Sequence, residues 1–150
     1  YSGQSIAAGC TLNIGGVPSQ DLSGVPTAVA PEWTGTAGIA YETELSTDLK
    51  LGTNVDMRYS DSYIASSFGD RATTQSSYVV LDAGIRIGAA DDRWQLALIG
   101  KNLTNKFYFT GGGTAPLTGS GTGTAAAVRG DALGYGAFPR TVRWQAKVRF

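Results

Sequence analysis

Apolar and polar residues alternate along the final segment of the chain, RTVRWQAKVRF. Counting back from Phe150, every second residue is apolar, and the residues between them are polar and mostly basic. Successive side chains of a β-strand point to opposite faces of a sheet, so the pattern predicts a strand with one apolar and one basic face. A soluble sheet would bury the apolar face in a core, whereas an outer-membrane barrel would turn it towards lipid.

The same alternation occurs in four earlier segments, residues 31–45, 49–63, 78–89 and 93–103. Their apolar positions are Trp33, Ala37, Ile39, Tyr41 and Leu45; Leu49, Leu51, Val55, Met57 and Tyr59; Val79, Leu81, Ala83, Ile85 and Ile87; and Trp94, Leu96 and Leu98. The parity changes at Leu103 and Phe107, which predicts a bulge between Gly100 and Asn102. We therefore expect five strands of about ten to thirteen residues, whereas transmembrane strands need about nine to eleven.

Short and long connections alternate between these predicted strands. Short turns fall at residues 46–48 and 89–92, while polar or Gly-rich loops fall at 1–31, 61–77 and 110–139. This alternation is typical of outer-membrane barrels, which have short periplasmic turns and longer extracellular loops. Aromatic residues also cluster at the predicted strand ends, which fits two aromatic girdles or the general preference of aromatics for strands. They are Trp33, Tyr59, Tyr63, Tyr78, Phe107 and Tyr108 at the long-loop end, and Trp94 and Phe150 at the other.

Three runs of residues resemble the C-terminal end of TonB-dependent outer-membrane receptors. QDLSGVPTAVAPEWTGTAGIAYE (20–42) is similar to the start of a late strand in that family. DDRWQLALIGKNLTNKFY (91–108) resembles the penultimate strand with its Asn-Leu-Thr-Asn signature, and FPRTVRWQAKVRF (138–150) resembles the closing strand. The sequence departs from the commonest closing pattern at Val148, where an aromatic residue is usual. The resemblance covers most of the chain from Gln20 onward.

The resemblance implies an all-β fold, an antiparallel transmembrane β-barrel, of which residues 1–150 are the C-terminal part. The chain would supply the last five strands of a barrel of about 22 strands, and the plug domain and earlier strands would be missing. It implies TonB-dependent active uptake of a scarce ligand across the outer membrane of a Gram-negative bacterium. That ligand is a ferric siderophore, haem, cobalamin or an oligosaccharide.

The resemblance also implies partners and one recognition signal. The partners are the lipid bilayer, the barrel-assembly machinery, and TonB with its inner-membrane energising complex, which acts through the missing plug. The barrel-assembly signal would consist of Val142, Trp144, Ala146, Val148 and Phe150. An odd cysteine, Cys10, either stays a free thiol or pairs with a cysteine outside the sequence.

The charge and composition of the chain argue against several classes of function. The chain has no His and one Cys, so we expect no enzyme, no metal site and no cofactor. Its formal net charge is zero, and we expect no nucleic-acid partner. The Gly-rich run 118–124 lacks the residues of a phosphate-binding loop and predicts a flexible loop.

Charged side chains recur on the polar stripes, where basic residues outnumber acidic ones. The lumen-facing set is predicted to include Lys50, Asp56, Arg58, Asp82, Arg86, Lys101, Arg143, Lys147 and Arg149. Such a wall could attract an anionic ligand. Alternatively, the cations pair with acids on the plug, which keeps buried charge compensated. We favour this interpretation because ligand selection in such receptors would lie higher, in the loops and the plug apices.

Two other classes of protein remain open. A passive porin-type channel would share these strands but lack a plug domain. A soluble β-sandwich binding module would instead bury the apolar faces and stay monomeric in water without detergent.

Overall fold

The computed structural model of the chain describes residues 12–19, 21–66, 73–115 and 131–150. Cys10 and the Gly-rich run 118–124 lie outside the described residues. The strands are β1 (Leu12–Ile14), β2 (Val17–Ser19), β3 (Thr34–Ser46), β4 (Leu49–Ser60), β5 (Tyr63–Ile64), β6 (Thr74–Gln75), β7 (Tyr78–Ala89), β8 (Trp94–Lys101), β9 (Phe109–Ala115), β10 (Asp131–Gly136) and β11 (Thr141–Val148). Within these ranges, no helix is long and apolar enough to cross a bilayer.

Five strands form one antiparallel sheet in the order β3, β4, β7, β8, β11, so that each long strand pairs with the next one along the chain. The all-β class and the five predicted strands are confirmed. Three of them have 13, 12 and 12 residues, but β8 and β11 have only 8 each. The predicted lengths are therefore wrong for these two strands, because a turn ends β8 at Lys101.

The pairing register brings the apolar stripes of all five strands onto one face. One row across the sheet runs through Ile39, Val55, Ala83, Gly100 and Val142, each the direct partner of the next. Two residues away on each strand, a second row runs through Tyr41, Thr53, Ile85, Leu98 and Trp144. Because side chains alternate between faces, every polar stripe then lies on the opposite face.

The predicted short turns are present, and the longer connections contain structure that the sequence pattern did not predict. Residues 47–48 join β3 to β4, and residues 90–93 join β7 to β8. The longer segments hold three small antiparallel hairpins, β1–β2, β5–β6 and β9–β10. The sequence predicted polar or Gly-rich loops there and did not predict these short strands, because backbone pairing needs no apolar alternation: β9 reads FTGGGTA.

These hairpins belong to a separate compact unit, Tyr1–Glu32, Ser62–Ser76 and Tyr108–Ala137. The sheet forms the other unit, Trp33–Asp61, Ser77–Phe107 and Phe138–Phe150. Tyr63 was predicted for an aromatic girdle, but it is 7% exposed within the hairpin unit, where its hydroxyl donates a hydrogen bond to the carbonyl of Phe109.

The predicted bulge near Gly100 is present at Asn102 and leads directly into a turn. The pairing of β7 with β8 reaches Gly100 without a shift of register. Beyond Gly100 the register shifts by one residue, because the amide of Leu103, and not that of Asn102, donates to the carbonyl of Leu81 (2.7 Å). The extra residue is Asn102, whose φ of 50° lies in the left-handed region that Asn tolerates better than most residues. Asn105 has a similar φ of 49°. Leu103 changes parity because Asn102 is an extra residue against β7, and Phe107 follows the turn.

The carboxamide of Asn102 connects this turn to the segment that precedes β11. Its Nδ2 donates to the carbonyls of Lys106 (2.9 Å) and Phe138 (3.0 Å). Its Oδ1 accepts from the Lys106 amide (2.9 Å) and the Thr104 hydroxyl (3.3 Å). The residue is 6% exposed, so the four bonds satisfy a buried amide completely.

Replacing Asn102 with Gly should destabilise the sheet by about 2 kcal/mol or more, because the left-handed backbone is kept while four hydrogen bonds are lost. The measurement is urea unfolding in detergent micelles. Asn105→Gly is the matched control, since its side chain accepts one bond, from the Arg140 amide at 3.2 Å. It should cost about 1 kcal/mol or less. Equal costs for the two variants would contradict the role assigned to Asn102.

Candidate functional site

The first candidate surface is the apolar face of the sheet. It comprises Ala37, Ile39, Tyr41, Leu51, Val55, Met57, Val79, Leu81, Ala83, Ile85, Ile87, Trp94, Leu96, Leu98, Val142, Trp144, Ala146 and Val148. In the part of the chain described, Ile39 is 71% exposed, Trp144 69% and Tyr41 61%. A contiguous apolar surface spanning five strands is larger than the scattered apolar residues normal on a soluble monomer. Such a face requires a lipid or protein environment.

The predicted assembly-signal residues lie at one edge of this face. Val142, Trp144, Ala146 and Val148 belong to β11, which among the described strands pairs only with β8. Phe150 follows the strand and is fully exposed. These residues are therefore displayed on an open sheet edge.

Aromatic residues mark both ends of the sheet. Trp33 precedes β3 and Tyr59 lies near the end of β4, both with substantial exposure (72% and 39%). Trp94 begins β8 at the opposite end, next to Val148. Tyr78 departs from the predicted girdle, since it is the partner of Ser60 and has the parity of the polar face.

The second candidate surface is the polar face. The register places eight of the predicted charges on it: Lys50, Asp56, Arg58, Asp82, Arg86, Lys101, Arg143 and Lys147. Arg149 follows β11, and its amide donates to the carbonyl of Arg93 (2.9 Å), which continues the ladder. That this face lines a lumen stays a prediction.

Three of these cations pair with acids of the same chain. Arg86 reaches Glu42 (2.6 Å), Lys101 reaches Asp82 (2.9 Å), and Lys50 reaches Asp92 (2.5 Å). The sequence pattern did not reveal these partners, because they depend on which residues the register brings together. Four basic residues of this face account for its excess of positive charge, because they have no ion pair within the described ranges. They are Arg58, Arg143, Lys147 and Arg149.

The Arg86–Glu42 pair crosses the intervening strand over a glycine. Glu42, Gly52 and Arg86 lie in one row, with Gly52 in the middle. A Cβ atom at Gly52 would lie 2.5 Å from the guanidinium carbon of Arg86. Only glycine leaves the space through which this side chain reaches Glu42.

The short turn at 90–93 carries two ionised carboxylates. The ammonium group of Lys50 lowers the pKa of Asp92 below its ordinary value, chiefly through their hydrogen bond. The backbone amide and then the side chain of Arg93 lower the pKa of Asp91. Both carboxylates thus neutralise neighbouring cations at the turn, as ordinary surface ion pairs do.

A shallow cavity of about 320 Å³ opens on the polar face, which we call the wall cavity. It is lined by Thr36, Gly38, Asp56, Arg58, Asp82 and Lys101, together with Ala37 and Met57. Across the described residues, no group of three or more His, Cys, Asp or Glu side chains could hold a metal ion. The wall cavity therefore presents hydrogen-bonding and charged groups of both signs.

Comparison with known proteins finds no matching family model, no matching curated protein and no matching solved structure. The geometry of the two faces is therefore the basis for any functional assignment.

Replacing Gly52 with Val should destabilise the sheet by about 1–3 kcal/mol, because the new side chain collides with Arg86. Gly35→Val is the matched control on the adjacent strand, where a Cβ meets nothing within 4 Å, and should change stability by about 0.5 kcal/mol or less. Chemical denaturation in micelles measures both. Truncating Arg86 to Ala in the Gly52→Val background should recover part of the loss; no recovery would show that the guanidinium is not the obstacle.

Proposed function

We propose that this chain is the C-terminal part of the barrel domain of a TonB-dependent receptor in the outer membrane of a Gram-negative bacterium. The protein would take up a scarce ligand, namely a ferric siderophore, haem, cobalamin or an oligosaccharide. One observation carries the proposal: five successive antiparallel strands present one continuous, exposed apolar face.

Lipid is the environment that best suits this face. Burying an apolar side chain such as Ile39 or Trp144 away from water is worth about 1.5–3 kcal/mol each. A sheet can enter hydrocarbon because its ladder satisfies the backbone groups between strands. The outer edges of β3 and β11 are unpaired in the five-stranded sheet, so further strands are needed to close a barrel. We propose a barrel of about 22 strands.

The lengths of the connections between strands indicate how the sheet is oriented in the membrane. In an antiparallel meander, successive connections alternate between the two ends of the sheet. The tight turns at 47–48 and 90–93 therefore share one end, and the longer segments 61–77 and 102–140 share the other. We assign the turn end to the periplasm and the other end to the cell exterior. The polar face would then line the lumen and approach the plug.

The residues of the sheet take no catalytic step in the proposed uptake. The contribution of this chain is the wall itself: β11 closes the barrel and carries the signal read by the assembly machinery. TonB would act on a plug domain encoded elsewhere in the protein. No residue that the structure describes is proposed to contact TonB.

In the gene product that carries this chain, with Trp33, Trp94 and every tryptophan outside residues 1–150 replaced by Phe, the fluorescence of Trp144 should be strongly quenched by lipids brominated in mid-chain, because the indole lies on the apolar face. The matched control exchanges neighbours, Trp144→Gln with Gln145→Trp, which moves the indole to the polar face at nearly the same depth. This exchange should abolish most of the quenching. Equal quenching in both proteins would contradict a lipid-facing apolar surface. A soluble β-sandwich predicts this equal quenching, because its apolar face does not contact lipid.

A passive porin is separated from a receptor by electrical and genetic measurements. A receptor with a plugged lumen should show no steady conductance in planar bilayers, and its uptake in cells should stop when TonB is removed. Stable open-channel conductance together with TonB-independent uptake would favour the porin and overturn the receptor proposal.

A further inference from the structure

The wall cavity occupies a defined level of the sheet. Thr36 and Gly38 lie near the start of β3, Asp56 and Arg58 near the end of β4, and Lys101 at the end of β8. All of them are close to the strand ends that join the longer connections. In the orientation proposed above, this is the external end of the lumen wall, which an incoming ligand reaches first.

Some of the charged groups around the cavity are already occupied. Asp82 accepts from Lys101 (2.9 Å) and from the backbone amide of Asn102 (2.8 Å). The Oδ2 atom of Asp56 accepts from the side chain of Asn54 (2.9 Å). These bonds leave Asp82 and one oxygen of Asp56 with little capacity for a ligand.

Other groups around the cavity remain open to a ligand. Arg58 forms no hydrogen bond or ion pair with any residue that the structure describes, and it interacts with the Asp82 carboxylate through charge alone. Asp56 is exposed, and its Oδ1 atom lies over Gly38, where a Cβ atom would come within 2.7 Å, so a side chain at position 38 would displace this oxygen. The bond from Asn54 is to Oδ2, which leaves Oδ1 as an acceptor. The cavity thus offers one cationic fork and, beside it, one anionic acceptor.

These two groups favour a ligand with particular functional groups. A guanidinium binds a carboxylate through two parallel hydrogen bonds. The neighbouring Asp56 carboxylate repels a bare anion but accepts hydrogen bonds from hydroxyl groups. A fitting ligand therefore carries a carboxylate at one end and hydroxyl groups at the other. A volume of about 320 Å³ suits a single sugar unit.

We propose that the wall cavity is a binding subsite for an acidic sugar, with Arg58 binding the carboxylate and Asp56 accepting from ring hydroxyls. The inference rests on the proposed function for its location at the external end of a lumen. It narrows the ligand to a hydroxylated carboxylate, free or as a unit of an acidic oligosaccharide. The polar contacts themselves do not depend on membrane insertion.

The test measures binding of glucuronic acid to the full gene product in detergent micelles by calorimetry. Glucuronic acid should bind, while glucose and the methyl ester of glucuronic acid should bind about tenfold more weakly or worse, because they lack the charge that Arg58 reads. Arg58→Gln should weaken glucuronic acid binding about tenfold or more. Gly38→Val, which fills the cavity without changing charge, should weaken it similarly.

Arg143→Gln is the matched control, because Arg143 is an exposed, unpaired arginine of the same face outside the cavity. It should leave binding unchanged. Equal losses for Arg58→Gln and Arg143→Gln, equal binding of glucose, or no binding of glucuronic acid would each overturn the subsite. Binding that depends on Arg58 in a protein whose Trp144 fails the lipid-quenching test would support the subsite and overturn the membrane proposal.

Discussion

The register between the five long strands is the constraint on which the rest of the structure depends. Side chains alternate with a period of two, so a slip of one residue between any two strands would send half of one stripe to the wrong face. Direct partners such as Val55 and Ala83, or Leu98 and Trp144, keep all the apolar stripes together. The exposed apolar face exists only because four successive pairings agree.

The polar face follows from the same register and has its own packing requirements. Long charged side chains reach across neighbouring strands only where a small residue lies between them. Gly52 leaves space for Arg86 to reach Glu42, and Gly38 leaves space for one oxygen of Asp56. Glycine normally weakens a strand. Here it allows ion pairs and a cavity on a face that would otherwise be filled by side chains.

The turn at Asn102 shows how a short sequence signature acquires a physical role. The run Asn-Leu-Thr-Asn could be recognised in the sequence, and two asparagines suit a left-handed backbone. Its function in the fold could not be read from the sequence, because one bond partner of Asn102, Phe138, lies 36 residues further along the chain. The turn ends β8 and fixes the segment that leads into β11, and the extra residue at Asn102 accounts for the change of parity that predicted a bulge.

The sequence by itself determined the strand type, the positions of the five strands of the sheet, their apolar and polar stripes and the two tight turns, because each depends on the alternation or turn chemistry of neighbouring residues. Only the tertiary structure decided which stripes share a face, which cations are paired, where the wall cavity opens and that hairpins occupy the longer connections. These features arise from contacts between residues distant in the chain. A local pattern of polarity carries no information on strand register, and a Gly-rich strand such as β9 shows no pattern at all.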